Sequence, residues 1–167
     1  MNTIILKETH AEMIINSPKY GIKTVLIDLD DVDKIKKFTW RIHNKLFYIS
    51  TFEKGNRQNR KLYLLHRYIT NCPDNLVVDH INHNTLDNRK CNLRICQQIK
   101  NMQNRLTLSQ YGSRNVTWHK RNKKWQVSLK INGKNIYFGQ FDNYNEAKKI
   151  AKEARIKYFT HSIESEV

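Results

Sequence analysis

Cysteine is scarce and unpaired in this chain: Cys72, Cys91 and Cys96 make an odd count of three, with no Cys-x-x-Cys pair among them. That leaves a zinc ion without paired thiolates, and no structural zinc is expected. Odd, unpaired thiols suit a reducing compartment, so the expected location is cytoplasmic. Long apolar runs are absent as well. The longest reach only three or four residues, against the roughly twenty that a helix needs to cross a bilayer, so no membrane partner is expected. There is no internal repeat and no low-complexity tract.

The most informative absence is of negative charge. From Asn88 to Phe141 there are twelve basic residues and no acidic one, whereas residues 28 to 33 hold four aspartates. The whole chain carries 30 Lys plus Arg against 15 Asp plus Glu, a formal charge of +15 and a pI near 9.8. A stretch this long without a carboxylate exceeds what solubility requires, and it is the electrostatic footprint of a double-stranded DNA binder. Neutralising about six to ten phosphates would weaken binding by roughly 10³ to 10⁵ between 50 and 200 mM salt.

What is there points to chemistry. Asp79 and His80 follow the apolar pair Val77-Val78, and Asn92 and Asn101 come twelve and twenty-one residues after the histidine. The stretch "LVVDHINHNTLDNRKCNLRICQQIKNMQNR", residues 76 to 105, resembles the ββα-metal (His-Me finger) core of HNH endonucleases, most closely the phage and intron homing type. The "LYLLHRYI" segment ahead of it, with its His66-Arg67 pair, is shared with that family. The resemblance implies that Asp79 and Asn101 hold one divalent cation, Mg²⁺ or Mn²⁺, and that His80 is the general base. It also implies that Asn92 bonds backbone groups across the loop and keeps His80 in place. His83 is read as a loop residue and His66 as a core residue rather than a ligand.

These residue types suit phosphodiester hydrolysis. An imidazole of ordinary pKa about 6.5 can take a proton from water near neutrality. A hard cation with oxygen ligands compensates charge at the phosphorus and at the departing 3′ oxygen. Arg94 and Arg105 are candidates to steady phosphate. By the same resemblance the products carry 5′-phosphate and 3′-hydroxyl ends. One site per chain cuts one strand, so a monomer that nicks is expected. From Leu93 the recurrence of Leu93, Cys96, Ile99 and Lys100 at three and four residues predicts a helix that carries Asn101.

The length of 167 residues accommodates two small domains. A nuclease domain is expected over 1–105 with its motif core at 62–105, followed by a linker at 106–112 and a second domain at 113–160. The second domain is carried by "NVTWHK", "KKWQVSLKINGK", "IYFGQFD" and "NEAKKIAKEA". Nearly all of residues 111 to 159 resembles the Apetala-type (ethylene-response-factor) DNA-binding domain, in which three antiparallel strands lie in the major groove and one helix backs the sheet. Where that family usually has Gly, this chain has Asn115.

Period-two counting puts Trp125, Val127, Leu129 and Ile131 on one face, and sets Ile136 and Phe138 against Asn135 and Tyr137. Asn132-Gly133 predicts a tight hairpin turn. Asn143 and Glu146 predict a helix cap, followed by a stripe of Ala147, Ile150, Ala151, Ala154 and Tyr158. The polar sheet face and its flanks would offer Arg114, Thr117, His119, Lys120, Arg121, Lys130, Asn135 and Tyr137 to DNA. Trp118 and Trp125 are read as core.

Residues 1–60 read as short strands, an acidic helix start near Asp31 to Phe38, and two further strands. The four aspartates there suit a solvated turn and helix N-terminus better than a metal cluster. Residues 53–61 read as a basic hairpin tip. The fold class expected is therefore α+β, an N-terminal ββα-metal domain with a C-terminal three-stranded antiparallel sheet on one helix. The function expected is a metal-dependent DNA endonuclease of the homing type, with a catalytically inactive DNA-binding regulator as the alternative.

Overall fold

The computed structural model describes residues 1–53, 60–105 and 112–162. The basic hairpin tip expected at 53–61 and the linker expected at 106–112 lie largely outside those residues. Two compact units divide the chain, Met1–Gln98 and Ile99–Val167.

The first unit opens with β1 (Thr3–Leu6), β2 (Ala11–Ser17) and β3 (Gly21–Ile27), an antiparallel meander in that order. Alternation sets its inner face: Ala11, Met13 and Ile15 of β2 and Val25 and Ile27 of β3 are buried. After a 3-10 turn at Leu29–Asp31 comes α1 (Val32–Ile35). A second meander follows, β4 (Arg41–Ile42), β5 (Ile49–Phe52) and β6 (Leu62–Leu64). The helix α2 (Leu65–Thr70) ends on Asn71, whose left-handed φ of 50° closes it. One apolar core unites these pieces around Trp40, Ile35, Ile49, Leu65 and Ile69, and the Trp40 indole donates to the Ile35 carbonyl at 2.9 Å.

Against this core lies an antiparallel pair, β7 (Val77–His80) and β8 (Leu93–Cys96). The helix expected from Leu93 is therefore not formed there. Leu93 and Cys96 are buried as strand residues, because the backbone of β7 takes its hydrogen-bond partners from this segment, and the three-residue spacing of two apolar side chains was equally compatible with a strand. Helix begins only with α3 (Gln98–Asn101), one turn continued by a 3-10 turn at Met102–Asn104.

The second unit is a three-stranded antiparallel sheet in the order β11-β10-β9, formed by β9 (Val116–His119), β10 (Lys124–Ile131) and β11 (Lys134–Phe141), and packed on α4 (Tyr144–Tyr158). Asn132 and Gly133 turn the hairpin with φ of 48° and 81°, a pair of values that few residues other than Asn and Gly adopt cheaply. Asn143 caps α4, its Oδ1 accepting from the Asn145 and Glu146 N–H groups. Val116, Val127, Leu129, Ala147, Ala151, Ala154 and Phe159 form the core. A bulge between Val127 and Ser128 shifts the pairing, so that Phe141 lies opposite Trp125 and also packs inward.

Candidate active site

The site grows from β7, β8 and the loop between them. β7 ends on Asp79 and His80, both buried, and the register sets Asp79 opposite Arg94 and His80 opposite Leu93. Asn92 closes the loop. Its Oδ1 accepts from the Asn82 N–H at 2.9 Å and its Nδ2 donates to the Asp87 carbonyl at 2.8 Å. Its own carbonyl accepts from the Ile81 N–H at 2.9 Å. Within the loop, Asn82 and Asn84 accept from the N–H groups of Asn84 and Leu86, the self-satisfying turn chemistry of short amide side chains. His83 sits in the left-handed region at φ 64°.

Contacts remote in sequence hold the loop from outside. The Leu26 N–H donates to the Leu86 carbonyl at 2.9 Å, and the Asn88 N–H donates to the Leu26 carbonyl at 2.8 Å. β3 thus continues its pairing into the loop. The Lys90 N–H donates to Asp28 Oδ2, and Lys90 Nζ lies 2.6 Å from Asp30 and 3.1 Å from Asp31. Among the described residues, Asp28, Asp30 and Asp31 are the one group of three acidic, His or Cys side chains whose donor atoms gather within 4.8 Å. The chain's own ammonium lies against it, so the cluster anchors the loop.

On the other side, Arg67 of α2 donates from Nη1 to the Leu76 carbonyl at 2.7 Å and from Nη2 to the Pro73 carbonyl at 2.9 Å, fixing the turn that leads into β7. Its neighbour His66 is buried with its ring centroid 5.2 Å from that of His80. The Tyr48 ring lies 5.3 Å from His66 and 5.9 Å from His80.

These surroundings set the charge states. Burial pulls His80 below the ordinary imidazole value, opposed by a hydrogen bond to the Asn88 side chain and by the charges of Asp79 and Asp87. Burial takes His66 down to about 3, with the charges of His80 and Arg67 adding to it. Both rings are therefore neutral at pH 7. Burial and the Asp79 charge raise the Tyr48 phenol, which stays protonated.

Asp79 has a cationic neighbour. Arg94 Nη2 donates to its Oδ2 at 2.6 Å, so the guanidinium expected on phosphate has a carboxylate partner. A single carboxylate is a ligand type that a hard cation accepts while it keeps most of its shell for water and phosphate. Asn101 ends α3 and Arg105 is exposed just beyond it; both belong to the second unit.

In that unit, strand register gathers one polar face: Thr117 and His119 of β9, Lys124, Gln126, Ser128 and Lys130 of β10, and Asn135, Tyr137 and Gln140 of β11. Lys120 and Arg121 are exposed in the turn beside His119. Arg114 precedes β9. Its guanidinium lies over the Phe159 ring and donates to the Gln103 carbonyl at 2.8 Å, off the strand register that organises the polar face. Asn115 occupies the left-handed region at φ 65°, and its Nδ2 donates to the Ser128 carbonyl at 3.1 Å.

Asn88, Tyr48 and the pairing of Arg94 escaped the sequence reading. Asn88 stands among several loop asparagines that spacing does not separate, Tyr48 comes from a distant strand edge, and Arg94 finds Asp79 only through register.

Comparison with known proteins finds one family over the same stretch of chain. Residues 64–103 match the family model described as HNH endonuclease, a span that contains His66, Arg67, Asp79, His80, Asn92, Arg94 and Asn101. No curated protein matches the chain, and no solved structure does. Among the described residues no helix is long and apolar enough to cross a membrane.

Proposed function

We propose that the chain is a metal-dependent DNA endonuclease of the homing type that nicks double-stranded DNA as a monomer, leaving 5′-phosphate and 3′-hydroxyl ends. The observation that carries the reading is the loop closed by Asn92, which holds a neutral, buried His80 next to Asp79 within the matched span.

In this reading His80 takes a proton from the attacking water. A neutral ring is the competent form, and burial favours it at pH 7. Asp79, with Asn101 by motif spacing, would hold Mg²⁺ or Mn²⁺, which supplies charge compensation at the scissile phosphate. Asn92 resists displacement of β7 when the proton moves. Arg94 balances the Asp79 charge while DNA is absent, and would turn to a phosphate when a cation takes the carboxylate. The polar sheet face with Lys130, Asn135, Tyr137, Thr117 and His119, and the Lys120-Arg121 turn, would bind DNA in the manner of the Apetala-type domain, since a small sheet fits the major groove.

The Arg94 ion pair on Asp79 is also what a binding-only regulator would tolerate, because it neutralises the carboxylate without metal. Cleavage of supercoiled plasmid decides between the two. Wild type with Mg²⁺ should give open circles and His80→Ala should lose at least about a hundredfold in rate. Binding without cleavage by either divalent ion would favour the regulator, and equal activity of the two proteins would remove His80 from the reaction.

A further inference from the structure

Three rings from three separate elements close on one another in the first unit: Tyr48 at the edge of β5, His66 in α2 and His80 at the end of β7, with centroids 5.2, 5.3 and 5.9 Å apart. His66 meets His80 edge to face, at an interplanar angle of 79°. Nothing about a strand end requires this. A base in this position could equally pack on aliphatic side chains, which supply most of the surrounding core.

We propose that Tyr48 and His66 are positioning residues for His80, two rings that hold the plane of its imidazole. The inference rests on the reading of His80 as general base. Rings that meet near 5 to 6 Å in tilted or edge-on geometry attract one another in preferred orientations, which aliphatic neighbours of the same bulk do not impose. The backbone position of His66 is rigid, since Arg67 beside it holds the carbonyls of the turn before β7. Tyr48 is fixed from the other side, its carbonyl accepting from the His43 N–H at 2.7 Å.

The test compares His66→Phe and Tyr48→Phe, which keep a ring, with His66→Leu and Tyr48→Leu, which keep bulk and lose it. Single-turnover cleavage with Mg²⁺ should stay within about threefold of wild type in the Phe variants and fall about ten- to a hundredfold in the Leu variants, with DNA affinity unchanged in all four. Leu variants that fold and cleave within threefold of wild type overturn the proposal, as do folded Phe variants that fall as far as their Leu counterparts. If a Leu variant does not fold, its Phe counterpart decides alone: retention supports the proposal and loss beyond tenfold overturns it.

Imidazole ¹H–¹⁵N spectra of the full chain without metal or DNA give a second readout that does not need activity. His80 should show one sharp tautomer in wild type and the Phe variants and an exchange-averaged signal in the Leu variants; an unchanged His80 signal in folded Leu variants overturns positioning. Absence of cleavage by wild type would remove the base reading, while these spectra would still decide whether the two rings hold the third.

Discussion

Arg94 Nη2 and Asp79 Oδ2 stand 2.6 Å apart across the β7–β8 pair, with the two side chains only 16% and 7% exposed. The proposed cation at Asp79 would therefore share the carboxylate with a guanidinium already there. Arg94→Gln should lower the Mn²⁺ concentration for half-saturation about three- to tenfold, as expected when a competing charge is removed at close range. The same change should destabilise the first unit by about 3 kcal/mol, because a mostly buried carboxylate loses its partner. Calorimetric titration and urea unfolding read the two effects, and an unchanged metal affinity would show that Arg94 does not compete.

The proposed role of His80 as general base requires its neutral ring, and burial holds its pKa below the ordinary imidazole value. The acid limb of the cleavage rate against pH should therefore have its midpoint below about 6.5, with a plateau that extends through neutrality. A midpoint above that value would mean that Asp79, Asp87 and Asn88 outweigh burial.

His66 links stability to pH. Its folded value of about 3 lies below the unfolded value of 6.5, so its contribution is complete above pH 6.5. As pH falls towards 3, the unfolded chain takes up a proton that the folded chain refuses, and up to about 1.4 kcal/mol is lost per pH unit. Urea midpoints at pH 7, 6 and 5 should decline in wild type and decline less in His66→Phe. Parallel slopes would exclude His66 as the linked group.

The parts of this molecule that the sequence displayed are those written locally. Asp79 and His80 are neighbours, the Asn132-Gly133 turn demands two residues that tolerate positive φ, and the Asn143 cap lies directly before its helix. The parts it concealed are made by register and distance. Leu93–Cys96 has the spacing of a helix and becomes a strand because β7 needs a partner. Leu26 reaches the loop at Leu86 and Asn88 from sixty residues away, and three of the four aspartates, Asp28, Asp30 and Asp31, find their role only when Lys90 arrives among them. The Val127 bulge, which turns Phe141 inward, leaves no mark in a period-two pattern.

Asn92→Ala removes both side-chain bonds that span the loop and leaves the Asn82 N–H and the Asp87 carbonyl without them. Loss of two such bonds in a buried setting should cost about 2–3 kcal/mol. Cleavage should fall more than tenfold while DNA affinity stays within about threefold, because the loop holds His80 whereas the proposed DNA-binding residues lie mostly in the second unit. Gel-shift and single-turnover assays separate these terms. Equal losses in both would mean that the loop itself carries the DNA.

Asn115 reports on the second unit alone. Its φ of 65° is one that a residue with a β-carbon adopts at a penalty, and Asn lessens the penalty through its Nδ2 bond to the Ser128 carbonyl. Asn115→Gly keeps the conformation and loses one partly exposed hydrogen bond, so it should change stability by no more than about 1 kcal/mol. Asn115→Val loses the same bond and forces a branched side chain into the left-handed region, so it should cost about 2–3 kcal/mol. Trp118 and Trp125, in contact at 4.9 Å within the same sheet, supply the fluorescence signal for urea unfolding of this unit. A Val variant as stable as the Gly variant would mean that the turn relaxes to a negative φ, and that the register of β9 on β10 does not depend on it.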